Sequence, residues 1–200
     1  YQPSRGLGDV YKRQVIILIS TIFSQSFKDL TERPTYNPIK IEKPIMFDGA
    51  VDNQEWSKAQ IATNFNGSGT FQGQPSDLRT EARLFYDEKN IYVGFIAYVD
   101  KEDLRYSITK RDNLDEKDDR VWINIDAFDD EALTYGIGVS AGGVQIDGRA
   151  TYGFDKSLDL IYESKVSVYD DRYEAELIIP FSSPGYSCLL YTSDASDDDT

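Results

Sequence analysis

The chain has 200 residues, of which 40% are hydrophobic and 13% aromatic, and this content is enough to bury one core, which predicts a single domain. Its formal net charge of -14 disfavours nucleic acids and anionic lipid surfaces as partners, because these polyanions are bound through Lys and Arg. The absence of histidine removes the usual general base of Ser and Cys nucleophiles and the commonest ligand of transition metals.

An apolar run near the N-terminus predicts export. Residues 15–27 follow Lys12 and Arg13 and pass into small polar residues, which is the pattern of a secretory signal peptide. The run is shorter than the roughly 20 apolar residues that a transmembrane helix needs. We therefore expect a signal peptide remnant at 15–27, an extended linker at 28–38, and a location in the periplasm, in the outer membrane or at the cell surface.

Both ends of the chain differ in character from the region between them. Residues 1–14 precede the apolar run and lack an initiating methionine, and residues 187–200 interrupt a strand-like segment. Both stretches resemble translated adapter sequence, so we expect them to be non-native flanks. The one cysteine, Cys188, lies in the second flank and cannot form an internal disulfide. We expect the β-rich region, residues 39–186, to be a truncated domain.

Two segments predict β-hairpins. In "EARLFYDEKNIYVGFIAYVD", residues 81–100, two β-rich runs flank the four polar residues 87–90. The second segment, "SKVSVYDDRYEAELIIPF", residues 164–181, turns at Asp170 and Asp171. Side chains alternate between the two faces of a strand. In the first hairpin we expect one alternating set to face the core: Ala82, Leu84, Tyr86, Ile91, Val93, Phe95, Ala97 and Val99.

The segment "RVWINID", residues 120–126, follows the same period of two. Its aliphatic side chains point one way, towards the expected core, and the remaining side chains point the opposite way. The opposite face places Trp122 beside Asn124 and Asp126, which gives an aromatic ring with polar neighbours, as a sugar subsite requires. The alternative is that a second sheet or a downstream domain covers this face.

The segment "LTYGIGVSAGGVQIDG", residues 133–148, predicts two strands joined at residues 141–143. Its glycines leave one strand face bare, which lets another sheet or a ligand approach. Gln145 and Asp147 supply an amide and a carboxylate and, with Arg111 of the preceding loop, are candidate ligand-binding residues. For Gln145 and Asp147 the alternative is that they face water. Short strands without long amphipathic helices predict an all-β fold, a jelly-roll-like antiparallel β-sandwich.

The loop "KRDNLDEKDDR", residues 110–120, carries clustered carboxylates. Asp112, Asp118 and Asp119 are candidate calcium ligands, because calcium is bound through oxygen atoms. The spacing matches no EF-hand and lacks the glycine of its sixth position. The alternative is a solvated loop whose charges pair among themselves.

Four segments in order resemble family 9 carbohydrate-binding modules: "FDGAVDNQEWSKAQ", "ARLFYDEKNIYVGFIAYVD", "DDRVWINIDAFDD" and "YEAELIIPF". The resemblance extends over residues 39–181. The chain resembles more closely still the module that begins a group of exported bacterial proteins whose later part is similar to an outer-membrane β-barrel. The resemblance implies a β-sandwich in which Asp48, Gly49, Asp52 and Trp56 form the first turn.

We expect structural roles for the residues of this first turn. Trp56 precedes Ser-Lys-Ala in a short helical turn, where an indole fills the edge of a core and donates its N–H to a backbone carbonyl. Asp48 and Asp52 are expected to hold turns through local bonds to the backbone.

In this family, the members that bind sugar hold a terminal residue between two tryptophans. This chain departs from that pattern, because Asp115, Glu116 and Lys117 stand where the first tryptophan would lie, and the second would lie beyond Phe181. The resemblance therefore implies the fold more directly than the site, since one fold supports many functions.

Carboxylates, amides and aromatic rings are the groups of sugar binding, glycoside hydrolysis and calcium coordination. We expect a non-catalytic module that binds a polysaccharide or oligosaccharide, with calcium as the one expected cofactor and a missing C-terminal domain of the same protein as a further partner. One alternative is a periplasmic or surface accessory domain that packs on an outer-membrane barrel without binding sugar. The other is a glycoside hydrolase with paired carboxylates, because the family occurs attached to such enzymes.

Overall fold

A computed structural model describes residues 35–66, 76–127, 133–151 and 153–183. The predicted signal peptide remnant and both predicted non-native flanks lie outside the described residues. Of the predicted linker only the end is described, and there Tyr36 packs against the core while its hydroxyl accepts the N–H of Leu84 at 3.0 Å. Within the described ranges, no helix is both long enough and apolar enough to cross a membrane.

The described residues form two β-sheets, which confirms the predicted all-β sandwich. The first sheet consists of β1 (Ile39–Lys40), β2 (Thr80–Tyr86), β3 (Asn90–Tyr98), β8 (Glu163–Val168) and β9 (Arg172–Pro180), in the order β1-β2-β3-β9-β8. The second consists of β4 (Arg120–Asp126), β5 (Thr134–Ser140), β6 (Gln145–Ala150) and β7 (Phe154–Asp155), in chain order. The β1-β2 pair is parallel and the other pairs are antiparallel.

One hydrophobic core lies between the two sheets. The first sheet contributes Leu84, Val93 and Leu177, and the second contributes the inward side chains of β4 and β5, as the period of two predicts. The β4 and β5 side chains in this cluster are Val121, Ile123, Ile125, Ile137 and Val139. The outward residues of β4, including Trp122, therefore lie on the far face of the second sheet.

The first sheet is buried on its outer face as well. A cover segment, residues 45–60, lies across it and contains a single 3-10 turn, Trp56–Lys58. Trp56 is fully buried and stacks on Phe85 with ring centroids 5.2 Å apart. Phe85 belongs to the alternate set of the first hairpin, opposite to the set predicted to face the core. Members of both sets are buried, because the cover segment replaces solvent on the outer face. Of the set predicted to face the core, Tyr86 is only partly buried and belongs to neither apolar cluster.

Glu176 of β9 holds the first turn of the cover segment. One carboxylate oxygen accepts the backbone N–H groups of Asp48 at 2.9 Å and Gly49 at 2.6 Å, and the other accepts the indole N–H of Trp56 at 2.9 Å. The prediction that this indole bonds to a backbone carbonyl is therefore wrong. Gly49 has φ +87°, a left-handed conformation that glycine adopts without steric cost. The carboxylate of a strand residue thus accepts backbone N–H groups that a helix or sheet partner would otherwise satisfy.

Glu174 repeats this contact two residues earlier on β9. It accepts the N–H groups of Val51 at 2.5 Å and Asp52 at 2.9 Å, and Arg172 donates to it at 2.7 Å. Asp48 accepts the N–H of Ala50 at 2.9 Å, a local turn bond of the predicted kind. The side chain of Asp52 lies 3.7 Å from the guanidinium of Arg172.

Candidate functional site

The outer face of the second sheet carries an indole that lies flat on glycine backbone. The register of β4 and β5 places Trp122 opposite Gly138 and Asn124 opposite Gly136. A Cβ atom added to Gly136 would lie 1.9 Å from Cζ2 of Trp122, and one added to Gly138 would lie 3.0 Å from its Cε3. The six-membered ring therefore rests directly on β5, and Trp122 is partly exposed. The bare strand face that the glycines predict is filled by this ring.

Phe154 of β7 stands beside the indole. The two ring centroids are 5.1 Å apart and the ring planes are tilted by 56°. A Cβ atom added to Gly148 of β6 would lie 2.7 Å from Cζ of Phe154, so the edge of the phenyl ring points at the strand. Phe154 is 41% exposed. We call Trp122 and Phe154 the aromatic surface.

Sequence reasoning missed Phe154. The residue lies in a two-residue strand that pairs only through Ala150 and Arg149 of β6, and so short a strand has no readable alternation. Its one local signal is a phenylalanine that follows a glycine, shortly after the glycine-rich strands on which the ring packs. Phe154 can be assigned to the aromatic surface only once the pairing of β6 with β7 is known.

The polar neighbours of Trp122 differ in their access to a ligand. The indole N–H donates to Oδ1 of Asn124 at 2.7 Å, and this bond presents the amide NH2 of Asn124 as a donor at the border of the aromatic surface. Asn124 is partly exposed. Asp126 lies on the same strand face but is only 7% exposed. Of the two predicted polar partners, Asn124 is therefore the accessible one.

Arg111, Gln145 and Asp147 come together, as a group separate from the aromatic surface. Nε of Arg111 donates to Asp147 at 2.7 Å, its Nη1 donates to the side-chain oxygen of Gln145 at 2.8 Å, and its Nη2 donates to the carbonyl of Leu160 at 2.6 Å. Gln145 and Asp147 lie opposite Val139 and Ile137, which are core residues, so this group belongs to the inner face of the second sheet.

The members of this group differ in burial, since Arg111 and Gln145 are partly exposed. Asp147 is fully buried, and burial raises the pKa of its carboxyl while the N–H of Leu160 and the charge of Arg111 act in the opposite direction. The guanidinium of Arg111 also lies over the ring of Tyr162, 5.1 Å from its centroid. A buried carboxylate needs such partners to remain charged. The predicted ligand-binding residues thus divide by sheet face into an outer set, in which Trp122 and Asn124 are partly exposed, and an inner set, in which Asp147 is buried. Ligand binding by the inner set stays a prediction.

The predicted calcium ligands each accept a different backbone or hydroxyl donor. Asp112 accepts the N–H of Asp147 at 2.8 Å, and Asp119 accepts the N–H of Arg105 at 2.8 Å. Asp118 is buried and accepts the hydroxyl of Ser107 at 3.0 Å. Among the described residues, no group of three or more acidic, His or Cys side chains is arranged to hold a metal ion. Calcium binding stays a prediction.

An indole that lies flat on a strand, with an amide donor at its border, has the chemistry of a sugar-stacking position. The apolar C–H face of a pyranose packs on an aromatic ring, and its hydroxyls bond to polar groups beside the ring. Glycine is needed beneath the indole because any larger side chain would occupy the volume of the ring.

Solved structures from two bacteria share this fold. A carbohydrate binding module of family 9 from Caldicellulosiruptor kristjanssonii in complex with cellotriose has a TM-score of 0.50 and 20% identity, covering 72% of this chain and 66% of that chain. The same module in complex with glucose has a TM-score of 0.51 and 20% identity, covering 74% and 70%. A protein from Bacteroides uniformis ATCC 8492, provisionally named as carbohydrate-binding, has a TM-score of 0.54 and 10% identity, covering 73% and 72%.

This chain spans just under two thirds of the cellotriose-bound structure, and these levels of identity support a common fold. No curated protein matches the chain. A family described as "Carbohydrate family 9 binding domain-like" matches residues 47–192, which include every strand of both sheets except β1. Because this match extends over more than half of its length, the chain belongs to the carbohydrate family 9 binding domain-like family.

Proposed function

We propose that the chain is a non-catalytic carbohydrate-binding module of an exported bacterial protein. The ligand is a glycan, which packs on the outer face of the second sheet against Trp122 and accepts a hydrogen bond from Asn124. The observation that carries this proposal is that the indole lies flat on Gly136 and Gly138, so that the other face of the ring points outward. The fold shared with sugar-bound family 9 modules supports a sugar as the ligand class.

The charge of the chain supports a neutral ligand. A formal charge of -14 repels polyanions, whereas stacking of a sugar on a ring needs no charge on either side. Export would bring such a module to polysaccharides outside the cell, and the apolar run at residues 15–27 supports export. A further domain of the same protein would act on or transport the captured glycan.

Trp122→Ala tests the proposal in the full chain. We expect the affinity for the best ligand of a glycan array, measured by isothermal titration calorimetry, to fall at least about tenfold, which corresponds to ~1.4 kcal/mol. Phe47→Ala is the matched control, because Phe47 is a partly buried aromatic residue of the cover segment, which lies on the first sheet. Its affinity should stay within about twofold of the wild-type value.

Other outcomes lead to the alternative functions. A folded wild-type protein that binds no glycan would indicate an accessory domain whose aromatic surface packs on another part of the protein. Release of reducing sugar from a polysaccharide, lost on replacing one carboxylate, would indicate a glycoside hydrolase. Titration with calcium and then with chelator, followed by the midpoint of thermal unfolding, tests the proposed ligands Asp112, Asp118 and Asp119.

A further inference from the structure

We infer that Phe154 forms a second sugar-binding position beside Trp122, so that the site takes a single glycan chain of at least two residues. This inference rests on the proposed function and deepens it. It assigns a ligand contact to β7, and it defines the substrate class as an extended, non-crystalline glycan chain.

The two rings and the amide lie in one row across the second sheet. Asn124 of β4, Gly136 of β5 and Gly148 of β6 are register partners, and the rings of Trp122 and Phe154 lie over the two glycines. Adjacent strands are about 4.8 Å apart. The rings sit on adjacent strands, which accounts for the 5.1 Å between their centroids.

This row predicts the direction of the bound chain. The spacing of the rings is comparable with that of consecutive pyranose rings in an extended glycan, so a chain that crosses the strands can place one sugar on each ring. Asn124 bonds to hydroxyls at the Trp122 end of the row. The residue Phe154 is 41% exposed, so it is open to contact with the second sugar.

The tilt between the rings restricts the kind of glycan. Two rings whose planes differ by 56° cannot both lie against a flat crystalline face. Successive residues of a single chain can rotate about the glycosidic bond and follow the tilt. The geometry therefore favours soluble oligosaccharides and amorphous polysaccharide over crystalline polysaccharide.

A length series tests the inference. The probes are glucose, cellobiose and cellotriose, with the one-, two- and three-residue sugars of the xylan and mannan series, titrated into the full chain by calorimetry. We expect wild-type affinity to rise at least about tenfold from one residue to two in the series that binds. In Phe154→Ala this rise should be lost, while monosaccharide affinity stays within about twofold. In Phe154→Tyr, which keeps the ring, the rise should be retained.

The same experiment separates failure of the inference from failure of the proposed function. A Phe154→Ala protein that keeps the full gain with length would overturn the inference and leave the role of Trp122 intact. If the glucose series is the one that binds, equal retention on crystalline and amorphous cellulose would also overturn it. If wild-type protein binds none of the sugars, or Trp122→Ala binds as well as wild type, the proposed function fails and the inference fails with it. Far-UV circular dichroism verifies that each variant is folded.

Discussion

Glu176 is a fully buried carboxylate that accepts three N–H groups of the cover segment. Burial raises its pKa above the ordinary value of 4.5, although the N–H groups of Gly49, Trp56 and Asp48 favour the ionised form. The folded protein therefore binds more protons than the unfolded chain in the pH range between the two pKa values. Protonation of this carboxyl therefore contributes to the free energy of unfolding. This contribution is complete below the unfolded-state pKa and is lost as pH rises through the folded-state pKa.

Glu176→Gln tests this assignment. The variant replaces one acceptor oxygen with an NH2 group that faces N–H donors, so we expect it to lower the free energy of unfolding by about 1–3 kcal/mol at neutral pH. The difference from wild type should widen as pH falls from neutral to below 4.5, because only the wild type gains a proton at this site. Urea unfolding at several pH values measures the difference. A difference that narrows on acidification would show that the folded-state pKa is lowered instead.

Asp87 provides a control with the opposite sign. Burial raises its pKa, but the hydroxyl of Tyr92 and the N–H groups of Lys89 and Asn90 outweigh that effect, and the net shift is downward. Its contribution to stability is present above the unfolded-state pKa and is lost as pH falls through the folded-state value. The free-energy difference between wild type and Asp87→Asn should therefore narrow on acidification.

At the scale of the element, the glycines of β5 make the aromatic surface possible. We expect Gly136→Ala to weaken glycan binding at least about tenfold, because its Cβ would lie 1.9 Å from the indole and would push the ring off the strand. The crowding should also lower the free energy of unfolding by about 1–3 kcal/mol. Calorimetry with the wild-type ligand and urea unfolding measure the two effects.

Gly143→Ala is the matched control for that substitution. Gly143 lies in the turn between β5 and β6, has φ +79°, and has open space where a Cβ would be added. Its replacement should cost about 1–2 kcal/mol of unfolding free energy through the left-handed backbone alone. Glycan affinity should stay within about twofold of wild type. Equal loss of affinity in both variants would mean that destabilisation, rather than displacement of the indole, weakens binding.

At the scale of the whole molecule, charge and ligand binding should be independent. A neutral oligosaccharide held by stacking and by amide hydrogen bonds gains little from the field of a chain with charge -14. We therefore expect its affinity to change by less than about twofold between about 0.05 M and about 0.5 M salt, because screening acts on charged partners. A steep decrease of affinity with salt, measured by calorimetry, would instead indicate a cationic ligand.

Local sequence patterns were sufficient to predict the strands and the direction in which many of their side chains point. In a strand the direction of a side chain depends only on whether its position is odd or even. The alternation along the seven residues of β4 correctly predicted that Val121, Ile123 and Ile125 lie in the core and that Trp122 lies on the far face. The two hairpins were equally predictable, because β2-β3 and β8-β9 are each joined by a short polar turn.

Contacts between residues far apart in the chain could be identified only from the folded structure. The pairing of β3 with β9 brings Glu176 beneath Trp56, and the pairing of β6 with β7 brings Phe154 beside Trp122. The register of β5 with β6 turns Asp147 inward to Arg111, away from the aromatic surface. Parity along one strand is a local property of the backbone, whereas register and strand order follow from burying both sheets together, so no single segment encodes them.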